Sequence, residues 1–564
     1  MMAKLPALDW KTAVAWTVED GRDDFFPDMI RFRDFGSSPD RYLKENARKL
    51  LQYSRQQFES YSVPKTQLLK RKAVVLPFPA RLVYTALLRQ LFPVLAPSLP
   101  SGVHSYRQYP ELDHDAHVYP YPSASTKRAW LAFKHGFHGA LNDGVPHWGA
   151  VTDIATFFER ISVDRLADTL RDLVPLDAAE DAAGSLDVLR KLLLWCSAQG
   201  FGIPQNYDAS SFFGTVFLTP VDREMSRLSG VYYSRWMDDI RVAARTRGEV
   251  IDALHRLQEE LARLGLGLNA RKTVLLEPGT ADYEEFLTVE KDVELQGLSE
   301  DVATGVEARI RKAIPRLVGA VKESDKSGDD RFVRAFGGRL LEAAEFLEVR
   351  DECLDSIREV ALSGFRVRPE RADWWCRFLS PGVSEDVQRE LCAILKDPDF
   401  NRNEWTNFWA VVTLGRAAVP TDETMDLLRE TALRTGCVPA RAHAVVALGR
   451  MADHTDRRRL GDMFVSGDSP PALRRAALIA LQELPQEQRD EYHRRAEAVD
   501  PDLADLREYL SIQEVPIYSV YSFPKRRCVA VPPPSGSIKQ TGVGFVEGKW
   551  TRFSVLSRYF PDYE

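Results

Sequence analysis

The hydrophobic period changes once along these 564 residues, and that change limits the folds open to the chain. From about Val63 to Leu287, short β-rich runs (AVVLPF, WGAVTDI, GVYYS, IRVAA, TVLLE) alternate with helical patterns such as LVYTALLRQLF and EVIDALHRLQEELARLG. That is the grammar of an α+β fold. From about residue 300 the strand signals fade, and apolar residues recur at helical spacing, as in RLLEAAEFL and DVQRELCAIL. The second half is therefore expected to be all-α.

A repeat runs through that second half. TNFWAVVTLGR (406–416), ARAHAVVALGR (440–450) and LRRAALIALQE (473–483) align, with Ala410, Ala444 and Ala477 in one register and Leu414, Leu448 and Leu481 in another, a period of 34 and then 33 residues. Small and branched residues on one face of a recurring helix, with Pro420, Pro439 and Pro471 in the turns, are what stacked helix pairs need to bury a shared core. Residues 401–512 are read as HEAT-like repeats and 513–564, with its PPPSGS stretch, as an irregular tail.

Composition narrows the class. Hydrophobic content of 44% and charged content of 28% belong to a globular chain that buries cores, and the length allows several. A net charge of −7 does not favour a polyanionic partner, but local patches decide where a polyanion sits. Cys196, Cys353, Cys376, Cys392, Cys437 and Cys528 form no C-x-x-C pair, which fits buried thiols in a reducing cytoplasm. The N-terminus lacks the apolar core of a signal peptide, and the most apolar stretch, Val74 to Leu99, is broken by Arg81, Arg89 and prolines. No membrane partner is expected.

Within the α+β half, SGVYYSRWMDDIRVA sets Asp238 and Asp239 between two strand-like runs, although Asp is depleted in strands. In HWGAVTDIATFFERIS a third carboxylate, Asp153, ends another strand-like run. A strand end holds a carboxylate rigid yet open to a cleft, and Asp153 with Asp238 would make an all-oxygen site suited to Mg2+. Two such ions stabilise the attacking and leaving oxygens of an in-line phosphoryl displacement. Any one Asp, taken alone, reads equally as a turn or cap residue.

Together these stretches resemble the palm of reverse transcriptases over about 63–290. VTDIATFF resembles the first catalytic motif, and puts Phe158 where the family holds the residue that crowds the sugar 2′ position. RWMDDI resembles the Tyr-x-Asp-Asp turn, with Trp236 in place of Tyr. GFGIPQNYDASS assigns Gln205 to the incoming nucleotide and template, with Asn206 where Gly is usual, and LGLGLNARKT assigns Lys272 to the triphosphate. VPKTQLLKRKAVVLPFPARLVYTALL resembles the fingers hairpin, with Lys65 and Lys72 as phosphate-gripping residues, and HSYR (104–107) resembles the stretch that follows.

The resemblance implies a right-hand polymerase: fingers and palm with an antiparallel palm sheet, a helical extension over 1–62, and a connector or thumb-like region over 291–400. It implies catalytic and metal-binding roles for Asp153, Asp238 and Asp239, with two Mg2+ ions, Mn2+ being the alternative. Deoxynucleoside triphosphates, a DNA product and an RNA template are the implied partners. A reverse-transcriptase-like palm followed by HEAT-like helices resembles the bacterial abortive-infection and defence-associated enzymes. That group implies phage defence, synthesis without a conventional template or from a protein hydroxyl in some members, and homo-oligomers in several. Tyr42, Tyr53, Tyr61, Tyr106, Tyr109, Tyr518 and Tyr521 are among the hydroxyls that could prime. The alternatives left open are a retroelement-type enzyme copying RNA and a non-polymerising nucleic-acid-binding scaffold. Two H-x-x-H pairs, His114/His117 and His135/His138, lack companion cysteines, so stacking on nucleic acid or plain surface exposure is expected of them rather than zinc.

Overall fold

The computed structural model describes residues 8–21, 24–37, 58–65, 68–106, 123–145, 147–287, 307–327, 352–379, 382–398, 403–434 and 436–518. His114, His117, Tyr42, Tyr53, Tyr109, Tyr521, Cys528 and the tail past Tyr518 lie outside the described residues. The chain is α+β and mostly helical, and the described residues form one four-stranded and one two-stranded sheet. It folds as two compact units: Met1–Asp20 with Pro39–Glu59 and Val74–Lys291, and Gly21–Ser38 with Ser60–Ala73 and Asp292–Glu564.

The first unit is built on an antiparallel sheet of β3 (Trp148–Asp153), β4 (Tyr232–Trp236), β5 (Asp239–Ala244) and β6 (Val274–Leu276), in the order β4-β5-β3-β6. The strands are short and rich in β-branched, aromatic and small residues, and their alternation sends residues to two covered faces. On one face Ala150 and Ala244 pack with Val250 of the helix Arg247–Arg263, which a Thr246/Glu249 capping box starts. On the other, Ala243 and Leu276 pack with Phe137 and Leu141 of the helix Ser123–Leu141 and with Tyr283. Gly149 makes that approach feasible, since a Cβ there would come within 2.5 Å of the Leu141 side chain. With both faces covered, the open positions are the strand ends, where Asp153 and Asp239 lie.

A buried helix, Phe78–Leu95, adds a second layer to this unit. Its Arg81 pairs with Asp20 at 2.7 Å and its Tyr84 hydroxyl lies 2.8 Å from Ser210 Oγ on the helix Asp208–Phe217.

In the second unit the helices Glu404–Leu414, Val438–Met451 and Pro471–Ala480 stack on one another, with Asp422–Leu433, His454–Phe464 and Gln486–Val499 between them. This arrangement fits a HEAT-like repeat. The LGR ending of two repeat copies has a packing reason. A Cβ on Gly415 would lie 2.9 Å from Ala447 Cβ, and one on Gly449 would run into the backbone of Ala480. Arg450 then donates to the Gly415 carbonyl at 3.0 Å, joining successive repeats.

The segment Asp24–Ser37 also belongs to this unit. Arg475 pairs with Asp28 at 3.1 Å and with Asp34, His443 Nε2 lies 3.1 Å from the Pro27 carbonyl, and Phe26 meets Phe408 edge-on at 5.2 Å. The hairpin of β1 (Glu59–Pro64) and β2 (Lys70–Val75) is tied to the repeats, Ser62 N–H donating to Glu404 Oε2 at 2.9 Å and Val438 N–H to the Tyr61 hydroxyl at 3.3 Å.

Candidate functional site

Asp153 closes β3, Asp239 opens β5, and the two are cross-strand partners. Trp236 ends β4 opposite Asp239, so Met237 and Asp238 form the loop of a two-residue hairpin. Met237 takes φ +53, the left-handed region that such a tight turn demands of its first loop residue. Ile154 N–H donates to the Asp238 carbonyl at 3.2 Å and fastens this loop to the strand end that carries Asp153. Carboxylates far apart in sequence thus meet at one end of one sheet.

The electrostatics of that end favour a cation. Asp153 is 6% exposed. Its Oδ2 accepts from Lys272 Nζ at 2.5 Å, while its Oδ1 is buried without a hydrogen-bond partner. A buried carboxylate oxygen left unmatched is costly, and a hard cation would satisfy it. The Asp238 carboxyl is pushed up to about 6, first by desolvation and then by the charges of Asp239 and Asp153, so negative charge is crowded here. Asp239 is exposed. Among the described residues no group of three or more His, Cys, Asp or Glu is arranged to hold a metal ion. Mg2+ asks for one or two carboxylates completed by water and substrate phosphates, and the pair Asp153 and Asp238 fits that requirement.

Lys272 reaches Asp153 because its loop is pinned to β3. Asn269 N–H donates to the Asp153 carbonyl at 2.8 Å, Ala155 N–H donates to the Gly267 carbonyl at 2.8 Å, and the Thr152 and Thr273 hydroxyls lie 2.7 Å apart.

Phe158 sits on the short helix Phe157–Arg160, partly buried, its ring 5.2 Å from that of Phe157. Gly214 lies beneath these rings, and a Cβ there would approach Phe157 to 3.1 Å and Phe158 to 3.6 Å. The GFGIPQ stretch is bonded to the same segment: Ile203 N–H donates to the Phe158 carbonyl at 3.0 Å and Gly202 N–H to that of Ile161 at 2.8 Å. This brings the Gln205 loop beside Phe158. Asn206 has φ +69, a left-handed conformation that Gly or Asn adopts most readily.

Lys65 and Lys72 are exposed on the β1–β2 hairpin, where Lys65 N–H closes the turn onto the Leu69 carbonyl at 2.7 Å. They belong to the second unit. Trp236 packs edge-on against Trp130 at 5.0 Å, a role in which a ring counts for more than a hydroxyl. His138 meets Phe286 edge-on at 5.6 Å, and burial pushes its imidazole down to about 4, while His135 is exposed. Of the described tyrosines considered as primers, Tyr61, Tyr106 and Tyr518 are buried.

Two residues beside the turn were not singled out from the sequence. Arg235, inside β4, and Asp222, in the helix Thr219–Met225, form an ion pair of 2.5 Å with side chains 1% and 0% exposed. An Arg in a strand and an Asp in a first helical turn ordinarily read as surface charge. The sequence signal was weak: Arg235 stands in an aromatic strand-like run, and Asp222 at the end of an apolar one.

No protein-family model matches the chain, and no curated protein matches it. A solved structure of telomerase from Candida albicans, in complex with a TWJ fragment of telomeric RNA, aligns with 67% of this chain and 68% of that one at 12% identity and a TM-score of 0.28. A TM-score that low does not establish a shared fold. Among the described residues no helix is long and apolar enough to cross a membrane.

Proposed function

We propose that this chain is a nucleotidyltransferase of the reverse-transcriptase type, adding deoxynucleotides to a growing DNA strand. The observation that carries the reading is the meeting of Asp153, Asp238 and Asp239 at one sheet end, with Asp153 Oδ1 buried and unmatched. Asp153 and Asp238 would hold Mg2+, with Asp239 at the rim. Bound there, a pair of Mg2+ ions supplies charge stabilisation to the attacking and leaving oxygens of phosphoryl transfer. Lys272 keeps Asp153 oriented and brings a cation to the triphosphate side. Phe158 limits the room at the sugar 2′ position and Gln205 lies against the nucleotide and template, while a phosphate-gripping role for Lys65 and Lys72 rests on the sequence resemblance alone.

Finer features of the reading rest on the sequence resemblance. They are a role in bacterial antiphage defence, synthesis without a conventional template, priming from a protein hydroxyl, and assembly into homo-oligomers. The stacked helical half fits only the HEAT-like part of that resemblance.

The test is incorporation of labelled deoxynucleotides by the full chain in Mg2+ or Mn2+. The wild-type chain is expected to incorporate label, and Asp238→Asn to fall to background while unfolding at the wild-type temperature or above, since it removes crowded charge. An Asp238→Asn chain that still polymerised would remove the basis of the proposal. Sequencing the nucleic acid that copurifies then separates modes: protein-linked or homogeneous DNA for the defence type, copies of one RNA for the retroelement type, and none for a scaffold.

A further inference from the structure

The hairpin loop that carries Asp238 is strained, and its backbone is held from three sides. Met237 at φ +53 takes the left-handed conformation that is unfavourable for a residue with a side chain. A conformation of that kind persists only where its surroundings over-determine it. Ser105 Oγ accepts from Met237 N–H at 3.2 Å, Arg235 Nη1 donates to the Met237 carbonyl at 2.7 Å, and Ile154 N–H donates to the Asp238 carbonyl at 3.2 Å.

Of these supports Arg235 is the most fully committed. Nε donates to Asp222 Oδ1 at 2.7 Å, and Nη2 donates to Asp222 Oδ2 at 2.5 Å and to the Thr215 carbonyl at 3.0 Å, leaving Nη1 aimed at the loop. Tyr233 donates its hydroxyl to Asp222 Oδ1 at 2.7 Å, which fixes the carboxylate that fixes the guanidinium. The strand is anchored as well. Arg235 N–H donates to the Gly102 carbonyl at 2.9 Å and its carbonyl accepts from His104 N–H at 3.0 Å, so the SGVHS stretch runs alongside β4 and delivers Ser105 to the loop.

A fully buried ion pair is weak evidence of stabilisation, because desolvation offsets most of the attraction and an apolar pair often serves as well. What an apolar pair cannot do is donate to the Met237 carbonyl. We propose that Arg235, held by Asp222, is a positioning residue that sets the Asp238 carboxylate for cation binding through the backbone of Met237. Removing a group that orients a metal ligand typically lowers metal affinity by about 10- to 100-fold. The inference rests on the metal-binding reading of Asp153 and Asp238 and adds a residue that touches neither ion nor substrate.

The test uses the full chain and Mn2+ as probe, titrated by electron paramagnetic resonance, beside thermal unfolding and the Mg2+ dependence of incorporation. Arg235→Lys keeps the charge on Asp222 but has no second arm for the Met237 carbonyl. The double variant Arg235→Met with Asp222→Leu removes the ion pair without stranding a charge. The expected result is Mn2+ affinity weakened by roughly tenfold in whichever variant unfolds near the wild-type temperature, with the Mg2+ requirement raised more than the rate at saturating Mg2+ is lowered. Should wild type bind Mn2+ in a manner that Asp238→Asn abolishes, while both Arg235 variants bind it with unchanged affinity, the positioning role is overturned and the metal reading stands. Should wild type show no Asp238-dependent Mn2+ binding, the metal reading falls and this role with it.

Discussion

The aromatic pair at 157–158 shows how the residue proposed to gate the sugar 2′ position is seated. Phe158 packs against Phe157, and Phe157 in turn lies over Gly214, where a Cβ would press on its ring at 3.1 Å. Phe158→Ala empties the space assigned to the sugar 2′ hydroxyl, and ribonucleotide incorporation relative to deoxynucleotide should rise by at least roughly tenfold, since excluding a group by shape alone is worth about 1–3 kcal/mol. Competition between labelled ribo- and deoxynucleotides measures it, and unchanged discrimination would place the gate elsewhere. The placement of the carboxylates at strand ends was legible because Asp is depleted inside strands, whereas the left-handed backbone of Asn206 was not foreseen. Nor were Arg235 and Asp222, because nothing in the one-dimensional pattern distinguishes a guanidinium spent on a buried carboxylate from one in water.

At the scale of elements, the 34- and 33-residue period marked the helices that stack, and the structure adds why its LGR ending is written as it is. Gly449 faces the Ala480 backbone, which cannot swing aside as a flexible side chain could. Gly449→Val should therefore push the helices Val438–Met451 and Pro471–Ala480 apart and cost about 1–3 kcal/mol, the range for overpacking a filled core. Gly436→Ala at φ +141 is a control of another kind, since nothing lies within reach of its Cβ and only backbone strain opposes it. Thermal unfolding of the variants separates the two mechanisms, and a Gly449→Val chain as stable as wild type would deny the close approach. What the repeat pattern did not announce is that Asp24–Ser37 packs on these helices through Arg475 and His443. Such contacts join residues hundreds of positions apart, and no local period records them.

At the scale of the molecule, the response to pH follows from which groups are buried in the charge state they disfavour. His138, in the first unit, and His443 and His493, in the second, are each pushed down to about 4 by burial. Each is neutral when folded and takes a proton at an ordinary pKa of about 6.5 when unfolded, so the unfolded chain binds more protons between those values. The stability they contribute is complete above pH 6.5 and is lost as pH falls toward 4. Asp238 acts oppositely: its raised pKa of about 6 withdraws stability as pH rises from 3.8 through that value. Three histidines outweigh one carboxyl, and Asp28, held below its usual range by Arg475 against the opposing pull of burial, adds to acid lability at still lower pH. The unfolding temperature should therefore fall between pH 7 and pH 5. His443→Phe, which keeps the ring against Phe408 but cannot take a proton, should flatten part of that fall while forfeiting the hydrogen bond to the Pro27 carbonyl. Between pH 7 and pH 5 the proton-linked loss at His443 alone corresponds to about 2 kcal/mol, large enough to be read from denaturant midpoints at the two pH values. If wild type and His443→Phe lose the same stability on acidification, the imidazole is not buried in its neutral form.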